Sequence, residues 1–145
     1  MAYIDELKII GQVLIAMLLG AIIGWDRERA KKPAGLRTHM FVTASAALFI
    51  ILGAPLVGFF EGHLGAEIIR SDPTRIIHAI ITGVSFLGAG TIIRSSPGRV
   101  SGLTTAASLL LCCAIGVAVS LSMYIVAVGI VVITIAALRL LIFIE

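Results

Sequence analysis

The chain has 145 residues, of which 59% are hydrophobic and 13% charged, against about 45–50% and 25% in an ordinary soluble domain. With a mean hydropathy of +1.13, that balance excludes a water-soluble monomer and points to a helical membrane protein, while the length allows one bundle and not two domains. The net charge of +3 and isoelectric point near 9.2 have hardly any solvated domain to display them, so they read as topology signals, and nucleic-acid binding is set aside.

Asp5 and Glu6 outweigh Lys8 ahead of the first apolar run, and no small-x-small cleavage site follows it. No cleaved signal peptide is therefore expected. The first run, 9–25, carries Gly20-x-x-x-Gly24, extended backwards to Ala16. Such a groove of small residues admits a second helix at close range, from another copy of the chain or from the same protomer.

A dense polar block follows. GWDRERAKKPAGLRTH, residues 24–39, holds seven charged side chains in sixteen positions. Beyond it lie a second apolar run at 37–60 and the one sizeable loop, 61–74, whose Asp72-Pro73 pair suits the N-cap and first turn of the next helix. The third run, 75–93, is weakly lipophilic, with Thr82, Gly83, Ser85, Gly88, Gly90 and Thr91. A kink or unwound turn at Gly88–Gly90 would turn free carbonyls towards a cavity, whereas the plainer reading is close helix contact.

Ser95-Ser96-Pro97-Gly98 makes a turn before the fourth run, 103–119. Cys112 and Cys113 are adjacent, badly placed to bridge each other, and read as small packing residues. Ser120–Ser122 barely separates the fourth run from the fifth, 123–144, which makes those two an antiparallel hairpin. In hydrocarbon each run must be a helix, because its backbone has no water to bond. The expected fold is an all-α, single-domain bundle of five transmembrane helices over residues 1–145.

Lys and Arg set the orientation. Arg27, Arg29, Lys31, Lys32, Arg37, Arg94, Arg99 and Arg139 fall on one side of this arrangement; Lys8, Arg70 and Arg75 fall on the other. The positive-inside rule then places the N-terminus outside and the C-terminus in the cytoplasm, with Tyr3, Trp25 and Tyr124 at the interfaces. An internal repeat is also legible: Leu19-Gly20-Ala21 and Leu87-Gly88-Ala89 each close a run, and Gly35-Leu36-x-Thr38 is echoed by Gly102-Leu103-x-Thr105. It reads as a parallel duplication of a helical pair, with the fifth helix unpaired.

Familiar catalytic patterns are missing, so no enzyme and no resident cofactor are expected. His39, His63 and His78 lie on different segments, which argues against a shared metal site. The sharpest cluster is Asp26 and Glu28, at a helix C-terminus where a carboxylate is disfavoured unless a cation stands nearby. Arg27, Arg29, Arg37 and Arg94 are the expected partners; the competing reading is a hydrated divalent cation, with magnesium as the candidate. The next helices open with Gly35-Leu36-Arg37-Thr38 and Gly102-Leu103-Thr104-Thr105. Their free amides invite capping by Asp26 or Glu28, or an anion.

GWDRER (24–29), PAGLRTH (33–39), DPTRI (72–76), GVSFLGAGTIIR (83–94) and GLTTAAS (102–108) together resemble the MgtC/SapB family of bacterial inner-membrane proteins, over roughly residues 10–142. The resemblance implies a five-helix inner-membrane domain with the N-terminus outside. It also implies association with survival in low magnesium and inside host macrophages, a restraining contact with the F-type ATP synthase, and an older designation as magnesium transporters. The chain ends at Glu145, directly after the fifth run, so it resembles a short form without the soluble C-terminal domain of longer members, and regulation through that domain is not carried over.

The first functional reading is a non-enzymatic protein acting by helix contact with itself, as a dimer, and with another membrane protein, in support of magnesium or envelope homeostasis. The alternative is a cation transporter or channel lined by Asp26, Glu28 and Gly88–Gly90. No acidic residue lies mid-membrane, where permeation and proton-relay groups sit.

Overall fold

The structure, a computed structural model, describes residues 2–64, 73–96 and 99–140. The apolar runs form helices α1 (Ala2–Arg29), α2 (Leu36–Leu64), α3 (Pro73–Thr91), α4 (Leu103–Ser120) and α5 (Tyr124–Leu140). A short antiparallel hairpin, β1 (Ile93–Ser96) and β2 (Arg99–Ser101), joins α3 to α4. The turn expected at 95–98 falls in this hairpin, where Ile93 pairs with Ser101 and Arg94 with Val100; Pro97 and Gly98 lie outside the described residues. Pro73 opens α3, as its fixed φ and missing N–H favour, and its expected cap Asp72 lies outside the described residues.

Helix bounds exceed the apolar runs where polar residues continue the helix. α1 extends through Asp26–Arg29, so those charges form its last turn and not a loop. α2 passes through Pro55 to Leu64. α3 continues without interruption to Thr91, so the alternative of an unwound turn at Gly88–Gly90 is not adopted, and the Thr91 hydroxyl donates to the Gly88 carbonyl at 2.7 Å.

Among the described residues three helices are long and apolar enough to cross a membrane: α1 over Tyr3–Arg29, α2 over Leu36–Phe60, and α4. α5 is apolar but shorter as described, and α3, which carries Arg75, His78, Thr82 and Ser85, is not among them. Bulky apolar side chains point outward: Phe86 is 79% exposed, Ile133 69% and Ile125 91%. Water would not tolerate such faces on a monomer, whereas hydrocarbon does. The chain is a membrane protein.

The core is correspondingly built of small residues, which let helices approach where apolar attraction between them gives no advantage over lipid. α4 lies at its centre, burying Ser108, Leu109, Cys112, Cys113, Gly116 and Val119, with α2 packed along it, α1 along α2, and α3 against the other side of α4. A Cβ on Gly20 would meet the Thr43 side chain and lie 2.6 Å from the His39 carbonyl oxygen; one on Gly24 would lie 2.7 Å from Leu36 Cα. The small-residue groove of α1 is therefore filled by α2 of the same protomer. Of the two readings left open for it, packing within one protomer is the one observed.

The repeated sequences make repeated contacts. Gly20 packs on His39, three residues into α2, and Gly88 packs on Ala106, three residues into α4, with a would-be Cβ 3.3 Å from Ala106 Cβ. Gly83 and Gly90, also expected to serve packing, have nothing within 4 Å of a would-be Cβ.

The chain reversals are made by left-handed residues. After α1, Lys31 (φ 52°) donates to the Glu28 carbonyl at 3.0 Å and Lys32 to the Arg27 carbonyl at 3.0 Å; after α4, Ser122 (φ 60°) and Met123 repeat the pattern onto Val119 and Ala118. Both are Schellman closures, which ordinarily place glycine at this position. Lys31→Gly is expected to raise the unfolding free energy in detergent by about 1 kcal/mol, by removing the left-handed penalty of a side chain; a lower midpoint in thermal denaturation would contradict this.

Candidate functional site

α1, α3 and α5 end, and α2 and α4 begin, at one end of the bundle, and the charged block is gathered there. Asp26 is held by a residue the sequence had assigned only to topology: Arg139 in the last turn of α5 donates from Nε to Asp26 Oδ1 at 3.0 Å. The Asp26 side chain is 15% exposed and the Arg139 side chain 63%. Arginine at a helix C-terminus is favoured by the macrodipole and a carboxylate is not, so the pair relieves an unfavourable placement of Asp26.

Glu28 takes the other expected course. Its Oε2 accepts the backbone N–H of Leu36 at 2.7 Å, capping the first free amide of α2 from across the turn. Gly35 leaves room for it, since a Cβ there would lie 2.8 Å from that oxygen.

Beneath this layer lies His39, fully buried. Nδ1 is 2.8 Å from the Gly35 carbonyl, which can only accept, so Nδ1 carries a proton and donates. Nε2 lies 3.0 Å from Ser108 Oγ on α4, and the neutral ring accepts there. The same hydroxyl is 2.8 Å from the Thr105 carbonyl, so its single proton has two acceptors. Thr43, one turn on, donates to the His39 carbonyl at 2.7 Å. A polar ladder thus ties the start of α2 to α4 below the charged rim.

Arg27 stands apart from both arrangements. It is only 4% exposed, and its Nε has no hydrogen-bond partner among the described residues. The adjacent carboxylate, Asp26, is committed to Arg139. A buried N–H without a partner is costly.

The remaining expected site residues are distributed differently. Arg37 and Thr38 are exposed on the first turn of α2, and Arg37 makes no ion pair among the described residues. Thr104 is exposed, Thr105 is buried, and the side chain of Arg94 lies outside the described residues. Among the described residues the two carboxylates are engaged by one arginine from α5 and one backbone amide, and Arg29 and Arg37 form no ion pair with them. Among the described residues no three His, Cys, Asp or Glu side chains converge. At the opposite end, Gln12 of α1 reaches the Ser122 hydroxyl at 3.3 Å and the Tyr124 hydroxyl at 3.5 Å. Sequence reading missed Gln12, Ser108, and the roles of His39 and Arg139; the signal for Gln12 was its isolation in an apolar run.

The profile of the MgtC family matches residues 13–145, which include every residue of this polar layer. The chain belongs to the MgtC family. It is similar to an uncharacterized protein of Haemophilus influenzae, 36% identical over 114 residues, which are 79% of this chain and 47% of that one. It is also similar to Protein SrpB of Synechococcus elongatus, 36% identical over 127 residues, 83% of this chain and 67% of SrpB. The putative magnesium transporter YhiD of Escherichia coli is 40% identical over 116 residues, 80% of this chain and 52% of YhiD. This MgtC-family chain thus spans about half the length of two of these relatives. No solved structure matches it.

Proposed function

We propose that the protein is a five-span protein of the bacterial inner membrane that supports adaptation to low magnesium by contact with another membrane protein and with itself, and not by catalysis or ion passage. The observation that carries this reading is that both carboxylates of the polar layer are already engaged, Asp26 by Arg139 and Glu28 by the Leu36 amide, while the charge buried beside them is the cation Arg27. A buried guanidinium repels the divalent ion that a transport path would have to hold. By family resemblance the partner is the F-type ATP synthase.

The alternative, a magnesium carrier, has the designation of the Escherichia coli relative in its favour. Flux in liposomes separates the two. The purified protein is expected to move no magnesium above empty vesicles. Saturable uptake abolished by Asp26→Asn would replace our reading with the carrier.

Orientation follows from charge. Arg27, Arg29, Lys31, Lys32, Arg37 and Arg139 gather at one end of the bundle, which supports placing that end in the cytoplasm and both the N-terminus and Ser122 outside. In intact cells a membrane-impermeant thiol reagent is expected to label Ser122→Cys directly and Lys31→Cys only after permeabilisation; the native Cys112 and Cys113 are buried. The reverse labelling would invert the topology.

A further inference from the structure

α2 and α3 meet closely at Gly53 and Ile76, and between them runs an apolar trough of about 950 Å³ lined by Phe41, Phe49, Leu56, Ile80, Gly83 and Leu87 among others. Pro55, also in its wall, has no N–H to return to the Ile51 carbonyl, which loosens α2 midway. At its end nearest the polar layer the trough meets a second hollow of about 430 Å³, with Leu87 common to both, lined by Pro33, Ala34, Thr38, Gly90 and Thr91. Gly83 opens on the first and Gly90 on the second, each with no other segment of the described residues within 4 Å of a would-be Cβ. Among the described residues neither glycine packs against another part of the chain, and each leaves its hollow open.

We propose that this two-part cleft holds one anionic phospholipid, its acyl chains in the trough and its phosphate at the mouth. The charge of the mouth decides the occupant. Arg37 precedes Phe41 by four residues and Thr38 precedes Val42 by four, so both stand one turn above the trough lining on the same helical face. Arg37 is exposed without an ion pair among the described residues, and the exposed Lys31 and Lys32 lie in the preceding turn. Asp26 is paired with Arg139, and Glu28 caps the Leu36 amide, offsetting the positive end of α2; Arg37, Lys31 and Lys32 leave the mouth net positive. Hydrocarbon fits the trough and a phosphate monoanion fits the mouth; an apolar partner helix meets only the first half and would have to bring an acid of its own. The inference is independent of the function proposed above.

The test is native mass spectrometry of the full chain from mild detergent, followed by exchange in nanodiscs of phosphatidylglycerol or of phosphatidylethanolamine. One retained phospholipid per protomer is expected, with phosphatidylglycerol preferred about tenfold, the scale of one charge-assisted contact. Arg37→Gln is expected to remove the preference while leaving the fold intact, since that side chain is exposed. Gly83→Phe, placed in open space, is expected to abolish retention. Four outcomes would each overturn the proposal: no lipid retained by the wild type, equal retention of the zwitterionic lipid, unchanged retention in Gly83→Phe, or disulfide cross-linking of Gly83→Cys to a second copy across the trough.

Discussion

Gly24→Val is expected to destabilise the protein by about 3 kcal/mol or more, the upper part of the range for overpacked cores. The added Cβ would sit 2.7 Å from Leu36 Cα, 2.9 Å from the Leu36 oxygen and 3.0 Å from the Gly35 oxygen, all of them backbone atoms that no rotamer change can move. Retreat of α2 is blocked as well, because the Leu36 amide is bound by Glu28 and His39 anchors the same turn to Ser108. Gly11→Val, on the same helix with nothing within 4 Å, is the matched control and is expected to stay within about 0.5 kcal/mol of the wild type. Thermal denaturation of the two variants in one detergent makes the comparison. Equal midpoints would mean that α1 and α2 do not meet at Gly24.

Arg27→Met is expected to separate stability from function. The guanidinium is buried with an unbonded Nε, and Asp26 is engaged by Arg139. Replacing such a charge by a flexible apolar side chain of similar length is expected to leave the unfolding free energy unchanged or to raise it by about 1–2 kcal/mol. Activity moves the other way. Growth of a deletion strain in low magnesium, restored by the wild type, is expected to be lost with Arg27→Met, because a buried charge whose Nε has no bond is one the fold does not require. A variant that unfolds, losing more than about 2 kcal/mol, would show instead that Arg27 supports the fold. One that complements fully would show that the Arg27 charge has no part in function.

These two residues also show how far sequence reading reaches. Gly20 and Gly24 were legible as a helix-contact groove because spacing of four places both on one face. Which helix fills the groove was not legible, because a glycine stripe is equally complementary to α2 of its own chain and to a second copy. Asp26 and Glu28 were legible as carboxylates in need of partners. Their partners were not: Arg139, 113 residues on, supplies the ion pair to Asp26. His39 looked like an ordinary interfacial residue, and only its burial against Ser108 on α4 gives it a structural role.

Composition, apolar run length and the asymmetry of Lys and Arg determined by themselves that this is a helical membrane protein, and its motifs, in order along the chain, led to the MgtC family. Those are local or additive properties, fixed by solvation and by the 3.6-residue period before any helix meets another. The pairing of Asp26 with α5, the isolation of Arg27, the ladder through His39 and the open cleft between α2 and α3 were decided only by tertiary structure. Each depends on how the helices are rotated and offset against one another, and that is set by the close approach of many small residues at once, which no single segment encodes.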